Sequence, residues 1–183
     1  MKMKVLCLLT DGFEDIEAIG TIAILRRAKI DVDIYALNSN EATGRYQTHI
    51  VDLKNSKDID ADSYDLLFLP GGPHYAVLEA SSFVKDLILD FYKKDKYIAA
   101  ICASPTILGH LGLLENRRYT CFTSMNENFK GTYVDTYAVR DGKIITGKSA
   151  AGTIDFGFKI VEALLGKSKA EETKNSIFYY NLD

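Results

Sequence analysis

The sequence predicts an α/β domain, with a mostly parallel central sheet and helices packed on both faces. Continuous apolar runs of strand length recur at residues 5–9, 66–69 and 97–101, as in strands covered on both sides. Segments of helical periodicity alternate with them, and that alternation implies parallel strands joined by right-handed crossovers. One hairpin signal, Asp141-Gly142, interrupts the pattern late in the chain, so the sheet is expected to be mostly rather than wholly parallel.

The elements follow in order. Val5 to Leu9 is the first strand, and residues 10–13 form its loop. A helix is expected from about Asp15 to Arg27, with Ile16, Ile19, Ile22, Ala23 and Leu25 as its apolar positions. Residues 31–37 read as a second strand. Residues 38–62 are polar and irregular, with a short strand pair near 49–51. Leu66 to Leu69 is a buried strand stopped by Pro70-Gly71-Gly72-Pro73. Residues 82–94 are amphipathic, with Val84, Leu87, Ile88 and Phe91 on one face. The strand 97–101 runs into Cys102, and a helix continues to about His110. Ser104 is placed to cap that helix and Pro105 to open it. Residues 119–122 suggest a short strand, and 136–140 with 143–146 the hairpin. Residues 153–165 form a helix closed by Gly166. The tail from Lys167 is expected to be partly helical, with Phe178, Tyr179 and Tyr180 docked on the body.

Composition narrows the function. A chain of 183 residues suits one domain spanning 1–183, able to bury roughly 70% of its unfolded surface. Its 47% hydrophobic content and 26% charge are ordinary, and a net charge of −3 gives no reason to expect nucleic acid or an anionic membrane. No apolar run approaches the roughly 20 residues that span a bilayer, and residues 5–9 are too short for a secretory signal. Three cysteines cannot all pair with one another, so the expected setting is a reducing cytoplasm. No Cys/His spacing suits a metal, and no phosphate-binding glycine pattern is present; no cofactor is expected.

In parallel sheets of this kind, ligands bind beyond the carboxyl ends of the strands. That rule gathers the loop 10–17, the turn 70–74 and Cys102-Ala103 into one crevice. Cys102 then sits on a sharp strand-to-helix turn. A helix amino end lowers a thiol pKa, so Cys102 is expected to titrate below roughly 8.5. A free cysteine is also a common core residue, and it is the neighbouring loops that favour chemistry here. Gly72 and the N–H of Ala103 are candidate oxyanion donors. Glu17, facing inward, would share a small site with the thiol and be pushed towards its protonated form. Glu14 and Asp15 read as partners of the helix dipole. His74 follows the Gly-Gly turn and is a possible member of the site. His110 lies too far along its helix to touch Cys102, His49 reads as a surface residue, and Cys7 and Cys121 read as core or near-core thiols.

Three segments carry a resemblance: 11–18 (Asp-Gly-Phe-Glu-Asp-Ile-Glu-Ala), 69–72 (Leu-Pro-Gly-Gly) and 98–106 (Ile-Ala-Ala-Ile-Cys-Ala-Ser-Pro-Thr). A fourth, 152–156 leading into 160–164, accompanies them. In order and spacing they resemble the ThiJ/PfpI superfamily, the family of the parkinsonism-associated DJ protein, in its bacterial ThiJ-like branch. The resemblance implies a flavodoxin-like three-layer α/β/α sandwich of the class I glutamine amidotransferase-like kind, and a homodimer. It implies Cys102 as the elbow nucleophile, Glu17 as the glutamate protonated against it, and Gly72 and Ala103 as backbone donors. Arg27 matches a family arginine near the dimer-related site, or is a solvated helix end.

The chain departs from the family in three places. Ala103 follows the cysteine where peptidase members carry histidine, so a peptidase is disfavoured. Phe122 stands where animal members place a histidine. Residues 148–152 (Lys-Ser-Ala-Ala-Gly) replace a Gly-Pro-Gly turn. The implied activity is a glutathione-independent glyoxalase or deglycase acting on small carbonyl substrates such as methylglyoxal. The alternative is an oxidative-stress sensor or chaperone that works through oxidation of Cys102.

Overall fold

The computed structural model describes residues 2–179. In chain order the elements are β1 (Lys4–Leu9), a π-helical turn (Ile16–Gly20), α1 (Thr21–Arg27), β2 (Asp31–Ala36), β3 (Ala42–Thr43), β4 (His49–Ile50), β5 (Lys54–Asn55) and β6 (Leu66–Leu69). They continue with α2 (Tyr75–Ala80), α3 (Ser82–Lys93), β7 (Tyr97–Ile101), α4 (Pro105–His110), β8 (Arg118–Tyr119) and β9 (Thr132–Tyr133). The chain then forms β10 (Ala138–Asp141), β11 (Ile144–Gly147), α5 (Thr153–Leu165) and α6 (Lys167–Ser176).

The main sheet has the order β10-β11-β7-β6-β1-β2-β5. Every neighbouring pair is parallel except β10 with β11, the hairpin at Asp141-Gly142. The chain leaves β1 to one side for β2 and returns on the other side for β6, so strand order reverses between β1 and β6. A crevice opens at such a reversal.

Alternation along β1 builds two cores. Val5, Cys7 and Leu9 join Phe68, Phe156 and Leu25 on the face covered by α1, α5 and α6. Leu6 and Leu8 join Leu67, Val84, Ile88, Phe91 and Ile107 on the face covered by α3 and α4. Full burial of each such side chain contributes about 1.5–3 kcal/mol. These packed layers hold the strand ends that carry the site. Cys7 and Cys121 are fully buried core thiols.

Several local expectations are revised. The helix expected from residue 15 begins as a π turn, in which Ile16 and Ile19 face outward, 59% and 41% exposed. The wider turn breaks the 3.6-residue register, so the apolar face expected at 16, 19, 22 and 25 is split; only Ile22 and Leu25 are buried. Ser104 does not cap α4. Its backbone is already helical, and its hydroxyl donates to the Pro70 carbonyl at 2.5 Å, tying the end of β7 to the end of β6. The short strand expected at 119–122 is Arg118–Tyr119 instead, paired with Thr132–Tyr133. At the tail, the Tyr179 ring lies 5.0 Å from that of Phe158 and its hydroxyl donates to Asp155, while Phe178 is exposed. Tyr180 lies outside the described residues.

Candidate active site

Cys102 adopts φ +65°, a left-handed conformation disfavoured for a side chain with a β-carbon. Its surroundings hold it there. Its N–H donates to Gly147 O at 2.9 Å, and its carbonyl accepts from Phe122 N at 2.8 Å. Pro105 then opens α4. The turn aims the sulfur into a crevice of about 430 Å³.

Gly71 is required by packing. A β-carbon there would overlap the Cys102 Cβ and Glu17 Oε2, and would lie 2.7 Å from Ile101 O. Gly72 has φ +97°, and its missing side chain lets Glu14 N approach. The backbone N–H groups of Gly72 and Ala103 act on the Cys102 sulfur in the direction that favours the thiolate.

Glu17 is fully buried on the π turn and points at Cys102. Its Oε2 accepts the Gly71 N–H at 3.0 Å. Its Oε1 is buried without a hydrogen-bond partner among the described residues, and the Cys102 thiol is the neighbouring group that acts on the carboxyl. Burial raises this carboxyl from 4.5 to about 7, with the Glu14 charge adding to the effect and the bonds from Cys102 and Gly71 opposing it. Burial and then the Glu17 charge push the Cys102 thiol up as well, against the pull of the two amides. The expectation of an acidic thiol is therefore reversed: desolvation and a second anion outweigh the helix end. The two groups titrate as a pair that keeps a proton between them near neutrality.

Glu14 and Asp15 do more than complement a dipole. Glu14 Oε2 accepts the Glu17 N–H at 2.8 Å, fixing the start of the π turn. The Asp15 carboxylate accepts the N–H groups of Tyr46 at 2.9 Å and Thr48 at 3.2 Å. Burial pushes the carboxyl up, but the Thr48 side chain and those two amides outweigh it and hold it below the usual range. Asp15 thereby docks the turn 44–48 on the crevice rim, where Arg45 and Tyr46 line the opening.

His74 is not brought into the crevice. It is fully buried, with Nδ1 accepting Thr10 N–H at 3.3 Å. That acceptor role leaves the proton on Nε2, which donates to Pro70 O at 2.8 Å. Burial lowers its pKa to about 4 despite those two bonds, so the ring is neutral and knits β1 to β6. His110 and His49 lie away from the sulfur, as expected. Arg27 is exposed at the end of α1, 3.4 Å from Ser176 O.

Residue reading missed part of the lining: Arg45, Tyr46, Tyr75, Ser124, Met125 and Ser149. No local pattern marks the docked turn; in the structure Gly44 is needed there, since a β-carbon would overlap the Asp15 carboxylate. Phe122, 45% exposed, forms part of the wall. Among the described residues no cluster of three His, Cys, Asp or Glu could hold a metal ion, and no helix is long and apolar enough to cross a membrane.

A doubly covered parallel sheet, a strained cysteine on a strand-to-helix elbow, and a buried glutamate against its sulfur define a flavodoxin-like α/β protein with an elbow cysteine. The chain belongs to the DJ-1/PfpI family, whose model matches residues 3–163. It is 33% identical to protein dj-1beta of Drosophila melanogaster, over 99% of this chain and 100% of that one. The crystal structure of Drosophila DJ-1beta superposes with a TM-score of 0.91 at 30% identity, covering 99% of this chain and 100% of the other. The chain is also 30% identical to the glutathione-independent glyoxalase DJR-1.2 of Caenorhabditis elegans, over 92% of this chain and 91% of the relative. With the deglycase TK1284 of Thermococcus kodakarensis it shares 29% identity, over 80% of this chain and 90% of the relative.

Proposed function

We propose that the chain is a cysteine-dependent enzyme acting on 2-oxoaldehydes such as methylglyoxal, as a glutathione-independent glyoxalase or deglycase. The observation that carries this reading is the buried Glu17 carboxyl, poised near neutrality against the Cys102 sulfur. A base with a pKa near the working pH transfers protons in both directions. Relatives bearing the names glyoxalase and deglycase support the same reading.

Glu17 as carboxylate takes the thiol proton while the sulfur attacks the aldehyde carbon. It then gives that proton to the new alkoxide, forming a hemithioacetal. Glu17 next removes the hydrogen on that carbon and returns it to the adjacent carbon through an enediol, as a hydroxyl proton passes between the two oxygens. The result is a thioester of a 2-hydroxy acid. Water cleaves it, releasing lactate and restoring the thiol, so the net change is addition of one water with no external oxidant or reductant. The amides of Gly72 and Ala103 stabilise the departing and returning thiolate. With Phe122 at the position matched to a family histidine, these proton transfers rest on Glu17.

Release of lactate from methylglyoxal, measured with Cys102→Ser as control, tests this function. Turnover absent in the parent chain, or equal in the variant, overturns it. A second reading is an oxidative-stress sensor or chaperone, in which peroxide converts Cys102 to its sulfinic acid. The same two amides support it, because they also suit sulfinate oxygens. We further infer one domain over the whole chain, a homodimer and a cytoplasmic setting. The outward Ile16 and Ile19 support the dimer, and three free thiols support the compartment. Sedimentation of the intact chain as a monomer at micromolar concentration would refute the dimer.

A further inference from the structure

One titratable cluster outside the site joins segments that also line the crevice. His110 is the last residue of α4, the helix that starts beside Cys102. Its Nδ1 lies 2.5 Å from Glu79 Oε1 on α2, and its Nε2 lies 3.1 Å from Glu127 Oε2. The ring is thus held between two carboxylates on two different segments. Each segment also supplies crevice lining. Tyr75 comes from α2, and Phe122, Ser124 and Met125 come from the stretch that leads to Glu127.

That stretch has several anchors. At its start, Phe122 N donates to Cys102 O at 2.8 Å. Towards its end, Phe129 packs against Gly109, where a β-carbon would overlap its ring, and the Tyr119 hydroxyl lies 2.7 Å from Asn126 Oδ1 and 3.2 Å from the Glu127 carbonyl. The Glu127–His110 contact is the anchor among these that a proton on His110 controls. Both ring nitrogens can donate to both carboxylates only when the imidazole is protonated.

We propose that His110 is a positioning residue: its imidazolium clamps α2 and the segment 122–129 together and so sets the width of the crevice beside Cys102. Among the described residues the charged groups acting on the ring are Glu79, from α2, and Glu127, from the segment. Both raise its pKa above 6.5, and the partial burial that opposes them is outweighed. The clamp is complete below the ordinary histidine pKa and is lost as pH rises through the raised value. Deprotonation leaves one ring nitrogen without a proton facing a carboxylate, and the wall carrying Phe122 and Met125 loosens.

Hydrogen exchange at the amides of residues 122–129 tests this without relying on turnover. It is measured across the titration and corrected for the intrinsic pH dependence of exchange. In the parent chain, protection of this segment should fall about two- to fivefold as pH rises, the size expected of exposed ion pairs. His110→Gln should show the low value at every pH. His110→Arg keeps a cation that does not titrate, and should hold the high value throughout. A kinetic arm follows if the chain turns over methylglyoxal: KM should follow the same pattern while kcat changes less. Equal protection in the parent chain and His110→Gln, or a pH dependence that survives in His110→Arg, overturns the proposal. Absence of turnover would count against the enzymatic reading alone and leave the exchange result decisive.

Discussion

Glu17 and Cys102 are both packed into the space of the same missing side chain: a β-carbon on Gly71 would overlap both the Glu17 carboxylate and the Cys102 Cβ. The backbone N–H of Gly71 also donates to Glu17 at 3.0 Å. One residue therefore makes room for the pair and orients one member of it.

Gly71→Ala should accordingly damage both stability and chemistry. Forcing a methyl group into a filled site typically costs about 1–3 kcal/mol. Urea unfolding measures that loss, and iodoacetamide labelling measures Cys102 in the folded protein. An alanine variant with parental stability and labelling would mean that the gap is not needed.

Glu17→Gln retains size and a hydrogen-bond donor but cannot exchange a proton. Turnover of methylglyoxal should drop by about 10²–10⁴-fold, the usual contribution of a positioned acid or base. Labelling of Cys102 at neutral pH should persist or quicken, because the variant removes the charge that pushes the thiol up. Full turnover in the variant would take Glu17 out of the mechanism.

Stability against pH should show two opposed slopes. Between 4.5 and about 7 the folded chain keeps a proton on Glu17 that the unfolded chain has lost, so this group makes stability fall as pH rises. Between about 4 and 6.5 the unfolded chain binds a proton on His74 that the fold excludes, so that group makes stability rise with pH. Glu17→Gln removes the first slope only. Relative to the parent chain, the variant should gain stability with rising pH, by roughly 1.4 kcal/mol per pH unit at most. Urea melts at stepped pH measure the difference, and a flat difference would show that the fold does not raise the Glu17 carboxyl.

Mild peroxide should modify Cys102 and spare Cys7 and Cys121. Cys102 opens to the crevice, while the other two are fully buried. Burial pushes all three thiols up, so access from the crevice rather than acidity singles out Cys102. Peptide mass mapping reads the distribution; comparable oxidation at all three positions would deny Cys102 any special exposure.

The parts of the fold set by local pattern were legible in the sequence. Strand-length apolar runs gave β1, β6 and β7, and the residues after each gave the crevice. Cys102 stood out because a strand ran directly into it and Pro105 followed. What escaped depended on partners distant in sequence. Ser104 has the chemistry of a cap, yet Pro70 lies close enough to take its hydroxyl. His74 sits next to the right turn, yet Thr10 and Pro70 take both of its nitrogens. The π turn has no periodic mark, so Ile16 and Ile19 read as core. The upward shift of the thiol is invisible in the sequence because no local pattern reports how deeply two acidic groups are buried together.

Asp15 holds the turn 44–48 through the main-chain N–H groups of Tyr46 and Thr48, with the Thr48 side chain adding to them. Side chains at positions 45 and 46 take no part in that attachment. They can therefore be exchanged while the turn stays docked and Glu17, two residues along from Asp15, keeps its place. The rim thus behaves as a replaceable cassette on a constant reactive centre, and new selectivity could evolve there one substitution at a time.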